Sequence, residues 1–377
     1  MVRLDPAPGS VLTTPPQVIR VEFSEPAAPV GRGIDVYAPD GRRVSGKATA
    51  QGATLFGTLG GYQAAPEGTY LVTWRVVAQD THPSRGTYTF SVGHAGPAPA
   101  GDPASADLGA VSATGLLLQA LARWLHFLGF ALSFGVLAFL LIVLRALEPP
   151  PRLRRLVYLG IVLLLVAEPV ALAAQAASLG TIDSSSLADV LGSAFGRVLA
   201  LRLAGPLLLW GILGLPAEAW RKGAWSVVVV GALLALVDGL AGHTVAGLPV
   251  AAGVLLTAVH VAAMVVWVGG LAALLAVIGE APDRQGLVVR FGRAAATCVA
   301  VLILGGGLLA LAHLRSPADL MLSSYGLVLS FKLVAVAAAF WLAWRGLRRL
   351  RSGRPELLAL GGVVALAALL ASLPPPR

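Results

Sequence analysis

Cysteine is nearly absent from this sequence. Its single cysteine, Cys298, excludes a disulfide framework and a metal cluster held by several thiolates. Because Cys298 lies inside an apolar run, we expect it to pack between helices. The segment Met1–Ser10 also lacks the apolar core that export requires. Since the loop charges described below place the first domain outside the membrane, we expect the natural chain to begin upstream of Met1.

Charged residues are also scarce. They make up 12% of the chain, against 56% hydrophobic residues, a balance that a soluble protein of this length would not normally have. The net charge of +9 does not indicate a nucleic-acid partner, because the arginines lie in short tracts between apolar runs. We therefore expect contact with membrane lipid rather than with nucleic acid.

The first 93 residues show the two-residue periodicity of β-strands. Apolar and polar residues alternate or nearly alternate in Val18–Phe23, Ile34–Tyr37 and Thr69–Val77, and clusters of proline and glycine separate these stretches. Short strands at close spacing predict an all-β sandwich or barrel for residues 1–93. Residues 94–113 are rich in alanine, proline and glycine, and we interpret them as a semi-rigid linker.

Residues 114–377 consist mainly of long apolar runs. About eight of them could cross about 30 Å of hydrocarbon, which predicts an all-α membrane bundle of about eight transmembrane helices. The fourth run is the shortest and the least well defined. The runs are Leu116–Leu144, Leu156–Leu179, Val198–Leu215, Trp225–Leu240, Val250–Ile278, Ala294–Leu314, Gly326–Leu347 and Leu357–Leu373.

Basic residues fall in every second loop between these runs, at residues 145–155, 221–222, 284–293 and 345–354. The positive-inside rule places such loops in the cytoplasm. Both termini, and with them the N-terminal domain, are then predicted to lie outside a bacterial cytoplasmic membrane.

Ionisable residues within the runs are functional candidates, because burying them in hydrocarbon is costly. At a rise of about 1.5 Å per residue, they fall in the outer halves of their spans or at the outer ends. Imidazole and thioether groups are suitable copper ligands, and Met264 follows His260 by one helical turn. We expect an intramembrane copper site formed by His126, His243, His260, Met264 and His313.

Charged partners along the same path are expected at Glu168, Asp238 and Lys332. Glu168 precedes Pro169, so the helix is predicted to kink near this carboxylate. Lys332 either extends to the outer surface or pairs with a carboxylate such as Asp238. We interpret Arg197 and Arg202, which flank the outer start of the third run, as interface anchors.

In the N-terminal domain the compact polar cluster is Asp80-Thr81-His82. On an extended segment, residues two apart point to the same side, so this carboxylate and this imidazole could bind one metal ion.

Four segments of this domain together resemble the CopC family of periplasmic copper-binding proteins: Leu4–Ser10, Val21–Pro26, Gly68–Pro83 and Gly86–Gly93. The resemblance implies a Greek-key, immunoglobulin-like sandwich. It also implies a Cu(II) site made by an N-terminal histidine with its amine and by Asp80 and His82. The N-terminal histidine has no counterpart here, and residues 2–100 contain no methionine, so a methionine-rich Cu(I) site is not expected.

The membrane domain resembles CopD, and a fused CopC–CopD arrangement is a known pattern. The resemblance implies inward passage of copper, with copper ions as the cargo and periplasmic copper chaperones as partners. The residues that carry it are Gly242-His243, His260 with Trp267–Leu271, Arg290–Arg293, His313, and Tyr325-Gly326 with Leu329 and Lys332.

These features favour a copper importer that is not an enzyme, in which the β-domain captures Cu(II) outside and delivers copper to the intramembrane histidines. No nucleotide-binding motif is present, so direct ATP-driven transport is not expected. Two alternatives remain: a membrane redox protein whose paired histidines bind haem b, and a copper sensor or anchor that does not translocate the metal.

Overall fold

The computed structural model describes residues 3–60, 66–99, 113–180, 184–242, 248–313, 316, 318–349 and 354–372. Up to residue 99 the described chain is all-β. Its strands are β1 Arg3–Asp5, β2 Val11–Leu12, β3 Val18–Glu22, β4 Ala27–Tyr37, β5 Thr49–Gln51, β6 Thr54–Thr58, β7 Gly68–Ala78 and β8 Pro83–Val92.

These strands form two four-stranded sheets in the described part of the domain, ordered β1-β3-β6-β5 and β2-β8-β7-β4. Strand β3 buries every second residue, as a strand with one face on a core must. The shared core includes Ile19, Ile34, Leu55, Trp74 and Phe90, all at most 1% exposed. The predicted β-sandwich is therefore confirmed.

The strands β7 and β8 form the longest antiparallel pair, with Gly68 opposite Val92 at one end and Val77 opposite Pro83 at the other. A short turn at residues 79–82 joins them. The hairpin geometry therefore presents the Asp80-Thr81-His82 segment at one end of the sandwich.

The rest of the described chain is helical. The helices are α1 Ala113–Leu144, α2 Pro151–Leu179, α3 Ser184–Gly192, α4 Ala194–Leu213, α5 Ala217–Gly223, α6 Ser226–Leu240, α7 Val250–Val277, α8 Arg284–His313, α9 Asp319–Leu322, α10 Ser324–Arg349 and α11 Arg354–Ser372. Helix α1 contains two π-helical turns, at Ala131–Gly135 and Leu140–Leu144.

Five helices in the described residues are long and apolar enough to cross a membrane: α1, α2, α4, α7 and α8. Shorter apolar stretches occur at Ser226–Leu240, Tyr325–Ala338 and Gly361–Ser372, which overlap the other three predicted runs. The helical membrane domain is confirmed, and the number of eight spans stays a prediction.

Glycines allow the helices around α1 to approach closely. A side chain at Gly129 would lie 2.8 Å from the Gly160 carbonyl oxygen of α2. Gly135 of α1 and Gly269 of α7 have no room for a Cβ atom, because the facing backbone occupies that space. Small residues at helix crossings let membrane helices pack by direct backbone contact. These crossings bring α2 and α7 close to the turn of α1 that follows His126.

The chain divides into two compact units, whose first boundary lies at Gly115, and a later helical segment joins the first unit. One unit contains the sandwich together with Ala174–Val198, and the other comprises Leu116–Ala173 and Leu199–Arg377. The last turns of α2, all of α3 and the first residues of α4 thus belong to the sandwich unit.

Candidate functional site

Asp80 and His82 lie together in the β7–β8 turn. The Nδ1 atom of His82 is 3.1 Å from the Oδ2 atom of Asp80, and the other carboxylate oxygen accepts the backbone N–H of His82 at 3.0 Å. Asp80 is 6% exposed and the His82 side chain 18% exposed. The structure therefore brings an anionic oxygen donor and an imidazole, both expected metal ligands, into direct contact close to the surface.

The segment between β3 and β4 fixes the position of this turn. The carboxylate of Glu25 accepts the backbone N–H of Asp80 at 3.1 Å, and the carbonyl of Pro26 accepts the N–H of Gln79 at 2.9 Å. Glu25 was not among the residues singled out from the sequence. Its acidic side chain makes the surroundings of the Asp80–His82 pair more negative, which favours a cation.

A second polar cluster lies within the helices of the other unit. His126 of α1 has its Nε2 atom 3.1 Å from Asp238 of α6, and its Nδ1 atom 3.4 Å from Glu168 of α2. The three side chains are at most 3% exposed. Arg202 of α4 completes the cluster with hydrogen bonds from Nε and a terminal nitrogen to Asp238 Oδ1, at 2.9 and 2.8 Å.

This buried ion cluster, defined as His126, Glu168, Arg202 and Asp238, is arranged around ion pairs. The two carboxylates face different nitrogens of one imidazole ring, so the three groups do not point at a common centre. Across the described residues, no three His, Cys, Asp or Glu side chains lie close enough to hold a metal ion. The intramembrane copper site therefore stays a prediction.

Other residues predicted for that site have separate surroundings. His260 lies against Gly305 and Gly306 of α8, and its Nδ1 atom is buried with no hydrogen-bond partner in the described chain. Met264 packs against the hydrophobic core of the bundle. His243 and the side chain of His313 lie outside the described residues.

The interpretation of Arg202 as an interface anchor is wrong. Its side chain is 17% exposed and bound to Asp238, whereas Arg197, five residues earlier on α4, is exposed. A signal was available in the sequence, because two carboxylates at one depth require a countercharge in hydrocarbon. Asp238, one of the partners expected for Lys332, is thus bound by Arg202. Lys332 itself is partly buried on α10.

Comparisons with known proteins agree with this architecture. Residues 1–93 match the family model of the CopC domain, and residues 112–254 match that of the copper resistance protein D-like N-terminal domain. The chain is similar to a Bacillus subtilis protein named copper transport protein CutJ, with 26% identity over 408 aligned residues, all of this chain and 74% of the relative.

Among solved structures, the chain resembles the crystal structure of CopC from Methylosinus trichosporium OB3b. The two share 21% identity over 27% of this chain and 94% of the other, with a TM-score of 0.21. The fold assignment rests on the sheet topology and on the two family matches, which leave residues 94–111 and 255–377 unmatched. The chain therefore joins a CopC domain to a copper resistance protein D-like N-terminal domain.

Proposed function

We propose that this protein captures Cu(II) outside the cytoplasmic membrane and carries copper inward, as a transporter rather than an enzyme. The observation that carries the proposal is the Asp80–His82 pair, held at 3.1 Å in the turn of a CopC domain. The same chain continues into helices long enough to span a membrane. The similarity to a protein named for copper transport supports the same function.

Capture would use the donor chemistry of the β7–β8 turn. Carboxylate and imidazole groups suit Cu(II), and Asp80 and His82 offer one of each. Because backbone N–H groups of the turn donate to the Glu25 carboxylate and to the Pro26 carbonyl, the two ligands are positioned before the metal arrives. Preorganisation of this kind strengthens binding by reducing the ordering cost.

Passage would use the charge of the buried ion cluster. Glu168 and Asp238 contribute two negative charges, and Arg202 balances one of them. The other carboxylate faces His126, among side chains that are at most 17% exposed. A carboxylate in a low-dielectric region attracts a cation strongly. The cluster would therefore favour entry of a copper ion, and the predicted ligands His260 and Met264 would receive it.

Copper uptake into proteoliposomes tests this proposal. We expect uptake by the wild-type chain, slower uptake by Asp80→Ala and His82→Ala at low copper concentration, and near-complete loss with Glu168→Gln. Matched controls are His94→Ala and Glu280→Gln, which change exposed residues of the two units. The absence of uptake by the wild-type chain, or a Soret band from bound haem in the purified protein, would contradict the proposal.

A further inference from the structure

The copper-binding turn contains a backbone conformation that its own sequence does not favour. Thr81, between the two proposed ligands, has a φ of 71°. This left-handed conformation is an outlier for a β-branched residue, because Cβ approaches the following carbonyl. The surrounding structure must therefore hold Thr81 in place. Its N–H donates to the carbonyl of Ala78 at 3.0 Å, which fixes one side of the residue.

The other side of Thr81 is held from helix α2. The side-chain amide of Gln175 donates from Nε2 to the carbonyl oxygen of Thr81 at 3.2 Å. Gln175 is 2% exposed. A buried amide makes a directional bond that water cannot readily replace, so the contact restrains the peptide between the two proposed ligands.

A second bond from the same compact unit reaches a different part of the sandwich. Asp189 of α3 accepts the backbone N–H of Gly31 at 2.9 Å. Gly31 lies in the irregular part of β4 between Pro29 and Ile34. The two bonds have separate roles, since Asp189 contacts a strand and Gln175 contacts the copper-binding turn.

We infer that Gln175 is a positioning residue for copper capture: its amide holds the Thr81 carbonyl and thereby keeps Asp80 and His82 facing each other. The inference rests on the proposed function, because it assigns Cu(II) to these two residues. It also makes the last turns of α2 part of the capture site, so that the site is complete only in the full chain.

The test uses the purified full-length chain in detergent, with Cu(II) added as an aqueous salt. We expect Gln175→Ala and Gln175→Glu to bind Cu(II) about fivefold more weakly, the effect of one lost hydrogen bond. The Cu(II) EPR spectrum should change as well. Gln175→Glu preserves the shape of the side chain but replaces the donor with an acceptor. Asp189→Ala is the matched control, and we expect it to leave affinity and spectrum unchanged.

Rescue distinguishes positioning from a general loss of structure. Asparagine tolerates the left-handed region better than threonine, so Thr81→Asn in the Gln175→Ala background should recover the wild-type spectrum and most of the affinity. Failure of this rescue, wild-type binding by both Gln175 variants, or an equal effect of Asp189→Ala would each overturn the inference.

Hydrogen exchange without copper separates failure of this inference from failure of the proposed function. Loss of the Gln175 bond should speed exchange of the backbone amides at residues 80–82, whether or not copper binds. If Gln175→Ala exchanges faster but the wild-type chain binds no Cu(II), copper capture is refuted and the restraint is supported. Unchanged exchange would refute the restraint, whatever Asp80→Ala does to copper binding.

Discussion

The two polar clusters of this protein are built in opposite ways. In the sandwich, Asp80 and His82 stand two residues apart in one turn, near the surface, and each contacts the other. In the bundle, the buried ion cluster brings together residues from four helices, and His126 and Asp238 are 112 positions apart in the sequence. The turn depends on local backbone geometry, whereas the ion cluster depends on how the helices pack.

This difference determines what each cluster can tolerate. A side chain lost from the turn leaves its partner close to water, which can solvate it. A side chain lost from the ion cluster leaves an unpaired charge in a buried environment, which is among the most costly defects in a folded protein. We therefore expect substitutions in the turn to change copper binding, and substitutions in the ion cluster to change stability as well.

The largest expected effect is at Arg202. Replacement by methionine removes the countercharge of Asp238, and we expect a loss of about 3–5 kcal/mol in the free energy of unfolding. The measurement is the thermal unfolding midpoint of the full chain in detergent. Arg197→Met on the same helix is the control, because Arg197 is exposed. A double variant Arg202→Met, Asp238→Leu should recover part of the stability. Equal midpoints for Arg202→Met and Arg197→Met would contradict the role of the ion pair.

The next effect concerns the packing that places α1 against α7. The Cβ position at Gly135 is occupied by the backbone of Val265, so Gly135→Leu must push the helices apart. Overpacking of this kind costs about 1–3 kcal/mol or more. Gly292→Leu is the control, because no atom lies within 4 Å of its Cβ position. Unfolding midpoints report both variants, and a similar change for the two would contradict the role of close packing at Gly135.

Features that depend on local sequence could be predicted, whereas features that depend on the packing of distant segments could be predicted only in part. Alternation in β3 and β7 indicated the strands. Proximity of Asp80 and His82 was also expected, although the two meet in a turn with a left-handed Thr81 and not on an extended segment. The long apolar runs indicated helices at the observed places. Each of these features is encoded within about one element of the chain.

Long-range features could be predicted only in part. The charges of the loops predicted that Glu168 and Asp238 lie at similar depth in the outer layer. Depth along a helix does not, however, say which face of the helix contacts a neighbouring helix. The pairing with Arg202 and the contact of Gln175 with Thr81 depend on helix rotation and on the fold of distant segments. The helical runs around Arg202 and Gln175 are mainly apolar, so periodicity gave no signal for the helix face that carries these two side chains.

The smallest expected effect is at Tyr88. Its buried hydroxyl differs from the groups of the ion cluster, which are paired. Tyr88 in β8 is 5% exposed, and its hydroxyl has no hydrogen-bond partner among the described residues. Removing an unpaired buried hydroxyl relieves its desolvation cost. We therefore expect Tyr88→Phe to stabilise the sandwich by about 1 kcal/mol. The measurement is denaturant unfolding of the protein, followed by the aromatic signal of the sandwich.

Alkaline pH sharpens this prediction. Burial raises the pKa of Tyr88 above the usual tyrosine value, and the charge of Asp5 adds to the shift. The unfolded chain then releases the proton first, at a pKa of about 10. The stability of the wild-type sandwich attributable to this group is fully present below that pH and falls as pH rises towards the folded-state pKa.

Tyr88→Phe should remove this alkaline loss of stability. Tyr37→Phe, which changes a partly exposed tyrosine of β4, should preserve it. Identical alkaline profiles for wild type and Tyr88→Phe would mean that the Tyr88 hydroxyl is solvated or paired in solution, and the contrast with the ion cluster would then disappear.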